Sequence, residues 1–236
     1  MNMTYCLLRF FNLSLSAGIL IYTLPTQAQS RLGSNDNSLS KEIVFQDSFE
    51  PPGEPEPKET KGSGSRDGDK CSPNEQKIKP LMPKRNYGLT LQKLPSVFVR
   101  LPKTKARQVM LSFRDEAGEY YQRAFLPITS NGIVNFSLPK EKPALKVGKN
   151  YQWSLVVVCG DTVQPDDPTF MGWVQRVERT AQIERELIGK SSVEKAKWYA
   201  SRGYWYEMVA EIQQARKNQP GNTQLSATLQ KLVDRE

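Results

Sequence analysis

Between Leu145 and Cys159 the chain reads LKVGKNYQWSLVVVC, and this run limits the fold more than any other segment. A Gly148-Lys149-Asn150 turn leads into Tyr151, Trp153, Leu155 and Val157 at every second position, and the run ends on a cysteine. Side chains alternate across a strand, so bulky aromatic and β-branched residues at period two mark the buried face of a sheet. The run holds no carboxylate and no histidine.

Neighbouring segments share the period. LTLQKLPSVFVRLP contains Pro95, so it reads as one broken strand or as two, suited to an edge. In Arg107–Asp115, Val109, Leu111 and Phe113 alternate; Gly118 then supplies hairpin-turn chemistry, and Tyr120–Leu126 returns. Asn131-Gly132 is a second turn signal, with Val134, Phe136 and Leu138 on one face of the strand that follows. A polar DTVQPDDP loop precedes a last strand, Phe170–Val177. About seven strands in roughly ninety residues, spaced by turns, predict an Ig-like or fibronectin-like antiparallel β-sandwich.

After the last strand the period switches from two to 3.6. Ile183, Leu187 and Ile188 form one apolar face, and Gly189 can stop that helix. A second helix begins at Ser192 as its cap and ends at Gly203. A third stops before Pro220-Gly221, and Asn222 or Thr223 caps a fourth. The domain reading is therefore a leader at 1–28, a Pro/Gly-rich disordered arm at 29–80, a β-sandwich at 81–178 and a small α-helical hairpin subdomain at 179–236.

The leader rests on Arg9, the apolar run FFNLSLSAGILIY and the small residue Ala28 at a cleavage point. That run is short of the roughly 18–20 residues of a bilayer span, so a removable signal peptide is expected rather than an anchor. This predicts export to the periplasm or the extracellular space, with the membrane met only before cleavage. Of three cysteines, Cys71 and Cys159 remain once the leader leaves. In an oxidising compartment a bridge between them is expected, closing a long loop that stabilises by roughly 4 kcal/mol in entropy terms. Two free thiols are the alternative.

The chain has no histidine, which excludes Ser-His and Cys-His catalysis and His-ligated metals. Its net charge is +8, or +7 without Arg9, but Lys and Arg alternate with Glu and Asp. A solvated surface accounts for that pattern, so no specific nucleic-acid partner is expected.

Candidate sites each have a plainer reading. Trp198, Tyr199, Tyr204, Trp205 and Tyr206 would stack on sugars or clamp a peptide if exposed, and would dock the helices on the sheet if buried. Aromatics at helical spacing are usually core. Tyr204 and Tyr206 are expected nearest the surface, and are the residues assigned to binding. Asp161, Asp166 and Asp167 lack the spacing of a calcium loop and read as a polar turn. Asp115, Glu116 and Glu119 lie around a hairpin tip, where carboxylates are ordinary turn residues. No catalytic residue, metal site or cofactor is assigned.

Several segments in order, among them LMPKRNYGLTLQKLPSVFVRLP, FRDEAGEYYQRAFLP, VGKNYQWSLVVVC, MGWVQRVE and WYASRGYWYE, resemble the cyanobacterial domain of unknown function 928. The resemblance runs from about Gly62 to the C-terminus. It implies export from a cyanobacterial cell and supplies no activity or catalytic residue. The expected function is a non-catalytic interaction module for a protein or envelope polymer, with carbohydrate binding or carbohydrate-active chemistry as the alternative; the sequence does not set the oligomeric state.

Overall fold

The computed structural model describes Ile43, Cys71 and residues 77–234. The leader and most of the arm lie outside the described residues. The arm's last residues do not: Ile78 is buried, and Lys79–Pro80 form the first strand, β1. A single apolar residue among polar neighbours has no periodicity by which to mark a strand, so composition alone misplaces that boundary.

The remaining strands are β2 (Tyr87–Thr90), β3 (Val97–Leu101), β4 (Gln108–Asp115), β5 (Tyr121–Pro127), β6 (Gly132–Phe136), β7 (Asn150–Val158) and β8 (Thr169–Arg176). Four helices follow: α1 (Ala181–Leu187), α2 (Ser192–Ala200), α3 (Trp205–Asn218) and α4 (Thr223–Val233). The structure is mostly β with some α. None of the described helices is long and apolar enough to cross a membrane.

The strands form a five-stranded sheet, β2-β8-β7-β4-β5, and a three-stranded sheet, β1-β3-β6. The segment broken by Pro95 is two strands in different sheets, β2 and β3. Proline lacks the ladder donor and forces its predecessor extended, so the chain leaves one sheet there and enters the other. The expectation of a purely antiparallel arrangement is corrected: β2 runs parallel to β8, Tyr87 opposite Trp173 and Thr90 opposite Arg176. Parallel neighbours need a long crossover, and the whole of β3 to β7 supplies it.

The run that ends at Cys159 becomes β7, the centre of the larger sheet, hydrogen-bonded to β4 on one side and β8 on the other. Tyr151, Trp153, Leu155 and Val157 are all 0–1 % exposed. Across β8, Gly172 lies against the indole of Trp153 so closely that any side chain there would overlap the ring.

The helices share this core. Trp205, Met208, Val209 and Ile212 of α3 are completely buried. A Cβ on Gly88 would sit 2.8 Å from the Cβ of Trp205, so the glycine lets α3 lie directly on β2. Hydrogen bonds also tie α3 and the turn before it to the surrounding β-rich segments. Trp205 Nε1 donates to the Leu81 carbonyl at 3.0 Å, and Gln213 Nε2 donates to the Ile133 carbonyl at 3.1 Å. The Leu89 amide donates to the Gly203 carbonyl at 2.9 Å, covering the outer edge of β2.

Helix starts follow local chemistry. Ser191, not Ser192, caps α2: its Oγ accepts from the Glu194 amide while the Glu194 carboxylate accepts from the Ser191 amide. Ser192 would place Lys195 at the reciprocal position, which offers no acceptor. Thr180 caps α1 and Asn222 caps α4.

Candidate functional site

Cys71 and Cys159 form a disulfide with Cα atoms 5.4 Å apart. Cys71 is buried, and its carbonyl accepts from Thr104 Oγ1 at 2.9 Å. The bridge thus ties the chain ahead of β1 to the end of β7.

The binding assignment to Tyr204 and Tyr206 rested on surface position, and their burial corrects that placement. They are 7 % and 3 % exposed. Tyr206 accepts from Trp153 Nε1 at 2.7 Å and donates to the Trp173 carbonyl at 3.1 Å, so its hydroxyl joins β7, β8 and α3. Burial drives its pKa far above the ordinary phenol value. Tyr204 stacks on Trp198 with ring planes 5° apart, and the Arg202 guanidinium lies 4.2 Å from the centre of the Trp198 ring. Glu186 accepts from Trp198 Nε1 at 2.8 Å and from Arg202 at 3.2 Å. This cluster fastens α1 to α2.

Glu207 was not singled out from sequence. It is 4 % exposed, and Oε1 accepts from Thr90 Oγ1 and the Leu91 amide, each at 2.8 Å. Burial raises its pKa, and those two hydrogen bonds partly oppose the shift. The signal available was its setting: Trp205, Tyr206, Met208 and Val209 surround it, which is apolar around the whole helix turn. The group holds the end of β2 against α3.

The acidic loops form ordinary turns. Asp167 is buried and accepts from the Gln164 amide at 2.8 Å; Asp115 accepts from the Tyr120 amide at 3.0 Å. Among the described residues no group of three His, Cys, Asp or Glu is placed to hold a metal ion.

Strand β5 is different. Among the described residues it pairs only with β4, at the end of the larger sheet. Tyr121 and Phe125 are 50 % and 51 % exposed, and Arg123 stands exposed between them. Ala124 and Leu126 point to the core side, so the strand presents an aromatic-cation-aromatic row outward. Register extends the row inward: Phe125 lies opposite Met110, which lies opposite Val156 on β7. Arg123 pairs across to Ser112 and Ser154, and Tyr121 to Arg114 and Gln152. Arg114 donates to Gln152 Oε1 at 3.0 Å.

At the far end of β5 an open groove of about 380 Å³ lies between Leu126, Pro127 and β6. Ile133, Val134 and Phe136 line it, with Lys217 of α3 at its rim. Sequence shows which residues of β5 alternate but not that the strand ends a sheet, so this face was invisible there.

Residues 61–236 match the family described as Domain of Unknown Function (DUF928). The chain belongs to the DUF928 family. The DUF928 region takes in both bridged cysteines and every described strand and helix, so the β5 face lies inside it. A search of the curated proteins returns no match to the chain.

Proposed function

We propose that this DUF928 protein is an exported, non-catalytic interaction module of a cyanobacterial envelope or its surroundings, cleaved from a signal peptide near Ala28. Its two sheets are read as an Ig-like sandwich with one parallel edge pair, and α2 with α3 as a helical hairpin closing one side. Burial of Val97, Val99 and Leu101 on β3 and of Val109, Leu111 and Phe113 on β4 supports two sheets sharing one core. The disulfide supports an oxidising compartment.

One observation carries the functional reading. The buried Glu207, Tyr206 and Tyr204 hold the fold together, while Tyr121, Arg123 and Phe125 stand outward on a strand that ends its sheet among the described residues. Exposed aromatics and arginine on one face are what protein interfaces use as anchors. Pull-down from envelope fractions with the mature chain and its Tyr121→Ala/Phe125→Ala variant tests this. The variant is expected to lose bound partners while its thermal midpoint stays close to that of the parent. Unchanged capture would sink the reading.

Carbohydrate binding is a second reading, favoured by the same two rings. They stand four residues apart on one strand face, about 13 Å by strand rise, and offer π-faces to sugar rings. A glycan array with both proteins separates the readings, since only a lectin-like face yields array signals that fall in the variant.

A further inference from the structure

Resting on the reading of β5 as an interaction face, we infer that its partner contributes an extended acidic segment that adds to the sheet as a strand beside β5. The pattern is apolar-x-acidic-x-apolar.

Three features of the strand lead there. Among the described residues the main chain of β5 is bonded on one side only, so its outer amides and carbonyls form a template for another strand. Proteins commonly guard such an edge with charge or proline, and Pro127 and Arg123 are both present. Tyr121 and Phe125 do the opposite of guarding, since they leave aromatic surface at the edge on both sides of the arginine.

The side chains then set the partner's pattern. A strand laid beside β5 places alternate residues next to Tyr121, Arg123 and Phe125, at cross-strand distances of about 4.5–5.5 Å. Apolar residues suit the two rings and a carboxylate suits the guanidinium. The nine positions of these rows on β5, β4 and β7 carry two cations, Arg114 and Arg123, and no carboxylate. Among the described residues Arg123 makes no ion pair. A basic partner would meet only like charge in the middle of the row. Main-chain bonds would supply affinity and the alternate side chains selectivity, as in other strand-addition complexes. The groove beyond Pro127, with Lys217 at its rim, receives the end of the segment and favours a carboxylate there.

Fluorescence anisotropy on the full chain tests the inference with a labelled heptapeptide, Thr-Val-Thr-Glu-Thr-Val-Thr. Two controls accompany it: the same peptide with Lys in place of Glu, and one N-methylated at alternate amides. The Glu peptide is expected to bind at least about tenfold tighter than the Lys peptide, and the N-methylated peptide not at all. Arg123→Glu is expected to reverse the charge preference without moving the thermal midpoint. Equal binding of the Glu and Lys peptides, or undiminished binding of the N-methylated one, overturns the inference. Concentration-dependent dimerisation abolished by Phe125→Asp would assign the edge to a second copy and overturn it as well. If no peptide binds while envelope capture still depends on Tyr121 and Phe125, strand addition is wrong and the interaction reading stands.

Discussion

The indole N–H of Trp153, in the middle of β7, donates to the phenolic oxygen of Tyr206 on α3 at 2.7 Å, and both side chains are buried. Fifty-three residues separate the pair in the chain. The same hydroxyl donates onward to the Trp173 carbonyl, so one oxygen fastens the helix to two adjacent strands. This bond also explains why Tyr206 is no surface ligand platform: its polar tip is used inside.

Tyr206→Phe removes the acceptor for a buried indole N–H and the donor to a buried carbonyl. The expected loss is about 1–3 kcal/mol, since an unsatisfied buried group costs its desolvation. Urea unfolding checks it, with a lower midpoint and an unchanged slope as the expected result.

Glu207 makes stability fall as pH rises. Its folded-state pKa is raised by burial above the ordinary 4.5, so the folded chain holds a proton that the unfolded chain releases. The contribution is fully present below about pH 4.5 and is lost as pH climbs through the folded pKa. Glu207→Gln keeps an acceptor for Thr90 and Leu91 and cannot ionise. Thermal midpoints measured across acid to neutral pH should show a shallower decline in the variant; parallel curves would refute the assignment.

Reduction of Cys71–Cys159, or a Cys71→Ser/Cys159→Ser variant, is expected to destabilise the protein by about 2–4 kcal/mol. The bridge spans 88 residues and restrains a long loop in the unfolded chain. Unfolding with and without reductant measures the difference, and alkylation with mass mapping of the oxidised protein should leave both cysteines unmodified.

Gly88→Ala tests the seat of α3. The added methyl group meets the Trp205 Cβ at 2.8 Å, backbone-proximal atoms that cannot swing aside. Overpacking of this kind costs about 1–3 kcal/mol. A loss of that size, with near-UV signals of Trp205 altered, is the expected outcome.

The β-rich class, the turns and the four helices were legible in the sequence because each rests on near neighbours. Tyr151, Trp153, Leu155 and Val157 alternate whatever lies across from them, and Asn222 caps a helix through amides two and three residues away. The pairing of Cys71 with Cys159 was reachable because export leaves only two cysteines under that reading. Three things were not legible. The parallel pairing of β2 with β8, the burial of Tyr204 and Tyr206, and the end position of β5 among the described strands depend on which distant segments meet.

The sequence by itself determined the strand or helix character of the described elements from β2 to α4 of this DUF928 protein, since periodicity and capping are properties of residues a few positions apart. Tertiary structure alone decided which faces meet water. Tyr206 and Tyr121 each sit between an aromatic and a polar residue, yet one lies against Trp153 and the other stands half-exposed on the end strand of the described sheet. The physical reason is that burial is a property of the neighbour across the gap, and that neighbour is set by long-range packing.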